Sequence, residues 1–378
     1  MNLFSPSATR KKAEILRNAT VLLLTVALLF FRGVSLPASA ESPSAADPTL
    51  LLTEGLTDCR ESIDLRDASL PVGELGRLYQ EVLLSHPELF HVAPRLSCGY
   101  TEEVINGVPT RTVTYLYPVY TLTGQELTAA RTLYRNTVTS ILADMESTFG
   151  ALPHTEADTV LYLHDQLAHR YAYDTRPEAQ ANADAYTFFR DGVGICQAYA
   201  LAFLVLARGA GLEADVVVSE AMDHAWNHVR VEGEWYHVDV TKDDPIPAEG
   251  GSPTVTHTRL LRSDIGVAAA GYYGYTCSGG HVCNDTRFET EAGGAALENL
   301  RQAMTFRDGI WLGADRNGDL VGARASSEGI FVGQVGDVDL SGEVSPADLL
   351  ALYDPTLPDA WREWMRRYAV TPRGSTGK

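Results

Sequence analysis

A single cysteine stands where a nucleophile would need it. Cys196 lies in Gly192-Val193-Gly194-Ile195-Cys196-Gln197-Ala198-Tyr199-Ala200, two glycines ahead of it and a helix-forming run (Ala198 to Arg208) behind. That arrangement puts its sulfur at a helix N-terminus, where unpaired backbone N–H groups and the macrodipole stabilise negative charge, and so a thiolate. The same N–H groups can contribute to an oxyanion hole in acyl transfer. The bland alternative is a buried structural cysteine, a common fate of free cysteine.

Downstream, His224 to Val231 and Glu234 to Thr241 are valine- and aromatic-rich and alternate, which predicts two strands joined at Glu232-Gly233. A two-residue turn sets Val231 opposite Glu234 and His228 opposite His237. His224 then falls on the face of Asp239 and diagonal to it, within reach of an imidazole and a carboxylate. The imidazole can take the thiol proton while the carboxylate fixes its tautomer. The rival is a zinc site from His224, His228 and His237. On a strand, however, His224 and His228 are separated by roughly 13 Å, at about 3.3 Å per residue. His228 and His237 therefore read as cross-strand neighbours, and His164 and His169 as packed or exposed helix residues.

These pieces, in this order, resemble the transglutaminase-like superfamily of cysteine acyl-transfer enzymes over about Val160 to Pro245. The marks are Leu163-His164-Asp165, Tyr186, Cys196-Gln197-Ala198-Tyr199-Ala200, His224-Ala225-Trp226-Asn227 and Val238-Asp239-Val240-Thr241-Lys242-Asp243-Asp244-Pro245, with His86-Pro87-Glu88-Leu89-Phe90 as in a bacterial branch. The resemblance implies an α+β, papain-like core with the nucleophile on a helix packed against an antiparallel sheet. It also implies the roles Cys196 nucleophile, His224 base and Asp239 orienter. Lys242 stands where that branch usually has Trp, and Val240 where proline is common elsewhere; neither touches the triad. The implied activity is on amide bonds of protein or cell-wall peptide, by hydrolysis or by transfer to an amine. The other class to weigh is a non-catalytic, scaffold-docked binding protein that retains the fold.

The elements that must hold this site occupy a chain of 378 residues with net charge −19, room for more than one module. The acidity argues against a nucleic-acid partner. Residues 1–40 read as a signal peptide. Arg10, Lys11, Lys12 and Arg17 precede an apolar run, Ala19 to Phe31, and Ala38-Ser39-Ala40 offers a cleavage site. The alternative is an uncleaved anchor, with Arg32 close behind the run. The expectation is a secreted protein, or one associated with the cell surface, with no stable membrane span after signal removal. Residues 41–56 read as a linker, 57–150 as an N-terminal α/β segment, 151–290 as the catalytic domain, 291–335 as a short β-rich connection and 336–378 as a helical calcium-loop module. Within these, helices are expected at Gly73 to Leu84, after capping boxes at Thr123/Glu126 and Thr155/Asp158, and at Pro346 to Tyr353 and Asp359 to Tyr368. Hairpin signals stand at Asn106-Gly107 and Asn317-Gly318. Arg259 to Phe288 reads as irregular.

Five cysteines remain after residue 40. In an oxidising compartment one working thiol would leave four, with three pairings open; Cys59–Cys98 and Cys277–Cys283 are the local choice, and full reduction the alternative. Near the C-terminus, Asp337, Asp339, Ser341, Glu343 (through its carbonyl) and Asp348 occupy calcium-loop positions around Gly342. The loop resembles one calcium-binding repeat of a dockerin, which implies a structural Ca2+ and a cohesin-type scaffold partner. No second copy is evident: Asp315 to Asp319 has its glycine too early.

Overall fold

Beginning at residue 46, the computed structural model describes 46–152, 154–176, 182–244 and 255–289, then 304–307, 310–314, 320–326, 329–334, 345–351 and 353. The expected signal peptide, the Asn317-Gly318 turn, Asp337 to Glu343 and the helical pattern at 359–368 lie outside the described residues; Asp348 is described in its backbone only. The described residues fall within one compact unit.

Chain order begins with α1 (Pro48–Thr57), whose Asp47 side chain accepts from the Thr49 N–H, and β1 (Ile63–Asp64). Next come α2 (Val72–Ser85), β2 (Val92–Ile105) and β3 (Val108–Tyr120). Asn106-Gly107 makes a two-residue turn with φ of 52° and 80°, the left-handed pair that suits a hairpin. Leu52, Leu56, Leu75, Tyr79, Val113 and Leu116 form a core of their own beneath the β1-β3-β2 sheet.

Two long helices follow, α3 (Gly124–Phe149) and α4 (Glu156–Arg170). The Thr155/Asp158 capping box is formed in both directions, whereas Thr123 caps α3 without a side-chain bond, so the box expected with Glu126 is absent. The chain then makes β4 (Ala172–Tyr173), α5 (Ala185–Asp191), β5 (Val193–Gly194) and α6 (Cys196–Gly209). Every residue from Ala198 to Ala207 is buried. A helix apolar on all sides belongs at the centre of a core, and α6 packs among α4, α5 and the next sheet.

That sheet is antiparallel, in the order β8-β7-β6-β9, from β6 (Ala214–Ser219), β7 (His224–Val231), β8 (Glu234–Val238) and β9 (Thr276–Cys277). Short helices α7 (Val240–Asp243) and α8 (Asp264–Ala269) lie between β8 and β9, so the stretch read as irregular carries ordered structure. A last antiparallel sheet, β10 (Thr305–Arg307), β11 (Ile310–Ala314), β12 (Leu320–Ser326) and β13 (Gly329–Gln334), precedes α9 (Pro346–Ala351). Trp311 and Phe306 pack on Phe149, and the Trp311 indole donates to Asp158 at 2.7 Å, joining this sheet to α4. The architecture is α+β.

Candidate active site

Two glycines bring Cys196 to the head of α6. Gly192 ends α5 in the left-handed region, at φ 75°. A Cβ on Gly194 would lie 2.6 Å from the Phe188 ring and 2.8 Å from the Ala198 methyl, so only glycine lets the chain pass between α5 and α6. Inside the core the helix is sealed, but Cys196 and Gln197 at its first turn remain partly exposed. The first N–H groups of a helix have no partner within it, so this open end has donor capacity beside the sulfur.

β7 delivers the imidazole, and the turn out of β8 delivers the carboxylate: the strand expected to run to Thr241 ends at Val238, and Asp239 caps α7. Glu232-Gly233 forms a two-residue turn at φ 51° and 87°, and the pairs Val231↔Glu234 and His228↔His237 follow, the register its length dictates. Asn227 Nδ2 donates to the Ala200 carbonyl at 2.9 Å, locking β7 to α6 from the opposite face. His224 is buried, and its Nε2 lies 2.6 Å from Asp239 Oδ2, with the Cys196 sulfur near enough to act on its charge. The structure thus brings Cys196, His224 and Asp239 together. Burial pushes the imidazole towards neutrality, but the hydrogen bond to Asp239, with the charges of Asp239 and Cys196, prevails and holds it at about 9.

Asp239 is more heavily held than its neighbours in sequence foretell. Besides His224 it accepts the Tyr272 hydroxyl at 2.5 Å on Oδ2 and the Lys242 backbone N–H at 3.1 Å on Oδ1. Tyr272 comes from the stretch after α8, more than thirty residues away in sequence, and no local pattern marks it. The side chain of Lys242 turns outward to line a cleft of about 340 Å³ with Tyr173, Met222, Asp223, His224 and Asp244. Burial raises the Asp244 carboxyl to about 6, partly offset by its hydrogen bond from the Tyr199 hydroxyl.

Two further clusters hold ligand-type atoms within 4.8 Å of one another: His228, His237, Asp264 and Cys283, and His164, Asp165 and His257. His224 belongs to neither. In the first, His237 Nδ1 accepts the Trp226 indole N–H at 2.8 Å and faces His228 Nε2 at 3.1 Å, so its ring proton sits on Nε2 and is donated to Asp264 at 2.9 Å. Both nitrogens are then committed, and no in-plane lone pair is left for a cation. In the second, His164 Nδ1 and His257 Nε2 both meet Asp165 Oδ1 at 2.8 Å, while His164 Nε2 meets Asp243 at 3.2 Å. His169 is exposed.

All five cysteines are free thiols, which corrects the local pairings expected for Cys59–Cys98 and Cys277–Cys283. Nearness in sequence does not align Cβ vectors. Cys98 is held in β2 opposite Leu116, and Cys283 is buried with its N–H on Asp264. Of the calcium-loop residues only Asp348 lies in a described element, the backbone of α9.

A helix-borne cysteine beside a histidine on an antiparallel sheet and an aspartate just past the end of that sheet defines a cysteine-enzyme-like α+β fold. Residues 145–240, which contain the whole trio, match the model of the transglutaminase-like superfamily. Similar solved structures include a TGase at 18% identity and TM-score 0.26, matched over 42% of this chain and 47% of that one. A candidate cysteine protease from Cytophaga hutchinsonii is 14% identical at TM-score 0.23, over 48% of this chain and 71% of that one. A candidate protease from Parabacteroides distasonis is 15% identical at TM-score 0.23, over 43% and 40%. The chain thus spans about half the length of the first of these. No curated protein sequence matches it. Among the described residues no helix is long and apolar enough to cross a membrane.

Proposed function

We propose that this chain is an exported cysteine acyl-transfer enzyme acting on amide bonds of protein or cell-wall peptide, with Cys196 as nucleophile, His224 as acid and base, and Asp239 as orienter. The observation that carries it is the 2.6 Å bond between Asp239 and His224, an imidazole that lines a cleft and has the Cys196 sulfur beside it. The reaction starts from a thiolate at the head of α6 and an imidazolium. The thiolate attacks the amide carbonyl carbon, and the carbonyl oxygen takes the negative charge beside the N-terminal N–H groups of α6. Collapse breaks the C–N bond while His224 Nδ1–H gives its proton to the departing amine, leaving a thioester. Water, or a second amine, then gives its proton back to His224 as it attacks, and the thiolate leaves with a carboxylic acid or a new amide as product. The test is turnover of peptides and peptidoglycan fragments by the wild type and by Cys196→Ala. Loss of activity by roughly 10⁶-fold is expected. Equal turnover would remove Cys196 as nucleophile; no turnover by either protein, or an unreactive Cys196 in a well-folded chain, would favour the non-catalytic scaffold instead.

The acidic loop Asp337 to Asp348 enters the same proposal as a structural calcium site through which the enzyme docks to a cohesin-type scaffold. Calorimetric titration of the full chain with calcium, wild type against Asp337→Ala, tests it; identical heats from the two proteins would dismiss the site.

A further inference from the structure

Trp226 and His228 alternate with Asn227 along β7 and so lie on the face away from the body of α6, with His224 one step earlier in the same alternation, at the strand end beside the head of α6. Trp226 lies on the His224 ring, centroids 5.5 Å and planes 24° apart. It is buried, with Tyr272 and Tyr275 edge-on to it at 5.0 and 5.4 Å. Its one polar atom, the indole N–H, ends on His237 Nδ1, and the other side of that ring ends on Asp264. Asp264 in turn accepts the Tyr275 hydroxyl at 3.0 Å and the Cys283 N–H at 3.0 Å. A string of hydrogen bonds from β8 and α8 therefore terminates on the ring that covers the candidate base.

The string has a sense. An indole donates only, so it needs an acceptor with a lone pair in its plane. Burial lowers His237, against the pull of Asp264, Glu289 and Asp239, and keeps that lone pair available. His228, lowered to about 3 by burial and by the neighbouring His237, adds no charge to the string. An indole face over an imidazolium stabilises the cation and keeps water from its bond to Asp239.

We propose that His237, held by Asp264, is a positioning residue that fixes the plane of the Trp226 indole over His224 and so favours the Cys196–His224 ion pair. The proposal rests on the triad reading, and its test separates the two. Iodoacetamide alkylation of the full chain is followed by peptide mass spectrometry at Cys196 as a function of pH. Wild-type Cys196 reacts at mildly acidic pH far faster than the same residue in the denatured chain; if it does not, the triad reading itself falls, and the proposal with it. His237→Phe removes the acceptor and lowers that rate by about tenfold, the scale of one hydrogen bond, with the reactive limb moved to higher pH. Trp226→Phe gives a similar loss, and the double variant loses no more than either alone. His237→Gln, which restores an acceptor, regains most of the rate. An undiminished rate in His237→Phe, or a His237→Phe loss that persists in the Trp226→Phe background, overturns the proposal. Should His237→Phe not fold, Asp264→Asn made with and without Trp226→Phe carries the same comparison: its smaller loss must vanish when the indole is gone.

Discussion

Two buried histidine–carboxylate arrangements lie on either side of α7, and both histidines are held at about 9. His164 has a carboxylate on each nitrogen, Asp165 at 2.8 Å and Asp243 at 3.2 Å, and is wholly excluded from solvent. His224 has Asp239 on one nitrogen and a partly exposed thiol beside it, at a cleft. A raised histidine therefore does not by itself mark a reacting group. What decides is whether a nucleophile and an opening stand on its second side. The first arrangement is an anchor: Asp243 also accepts Thr256, Thr258 and the Arg259 N–H, gathering the segment beyond 254 onto α4 and α7. The second can move a proton.

The comparison breaks most sharply at the aspartates. Asp239→Asn keeps shape but favours the wrong imidazole tautomer, and kcat/KM on an amide substrate is expected to fall by about 10⁴-fold. A loss of tenfold or less would place Asp239 with the anchors. His164→Gln should do the reverse. Removing one partner of a buried ion pair leaves unpaired carboxylates and costs about 3–5 kcal/mol, read as a lower denaturation midpoint with unchanged slope. Activity per folded molecule should survive, because nothing in that cluster faces the cleft. Lost turnover in a well-folded His164→Gln would unite the two clusters functionally.

Titration separates them further. For His164, burial opposes charge but the bonds to Asp165 and Asp243 outweigh it, so its folded value lies above the ordinary 6.5. A raised base contributes stability that is fully present below its unfolded value and is lost as pH rises through its folded one. Unfolding free energy should thus decline between 6.5 and about 9, by on the order of 3 kcal/mol for this residue. In His164→Gln the decline should shrink to the part due to His224. Equal slopes in the two proteins would mean that His164 is neutral in the fold.

Much of this was open to sequence reasoning because it is local. A two-residue turn sets the register of β7 and β8, so counting brings Asp239 near His224, but the ladder ends at Asn227↔Val238 and Asp239 reaches the imidazole as the N-cap of α7, not from a strand. Gly192 and Gly194 announce the head of α6. His228 opposite His237 follows from the same count. The supports are another matter. Tyr272, Asp264 and Cys283 come from the segment read as irregular, and they reach the sheet only because α8 and β9 fold back along β6 and β8. The Asp165–His257 contact spans ninety-two residues, and no periodicity encodes such a closure. The disulfide expectation failed for a like reason: it counted residues between cysteines, whereas their side-chain directions are set by β2 and by the packing around Asp264.

The finest test compares how the two key carboxylates are fed. Asp243 has four protein donors besides His164, so the loss of one leaves it well solvated by its surroundings. Asp239 has, beyond His224, the Tyr272 hydroxyl and one backbone N–H. Burial and the charge of Asp239 both push the Tyr272 hydroxyl upward, so it stays protonated and donates throughout the working range. Tyr272→Phe deletes a hydrogen bond to a charged group, worth about 1.5–3 kcal/mol, and leaves the edge-on packing against Trp226 in place. Asp239 should then hold His224 less firmly, with kcat/KM down by roughly ten- to a hundredfold and the acidic limb of the pH–rate profile displaced. Thr258→Val at Asp243 should leave both untouched. If Tyr272→Phe were kinetically silent, the hydroxyl would be a packing feature, and Asp239 would have to orient His224 with the Lys242 N–H alone.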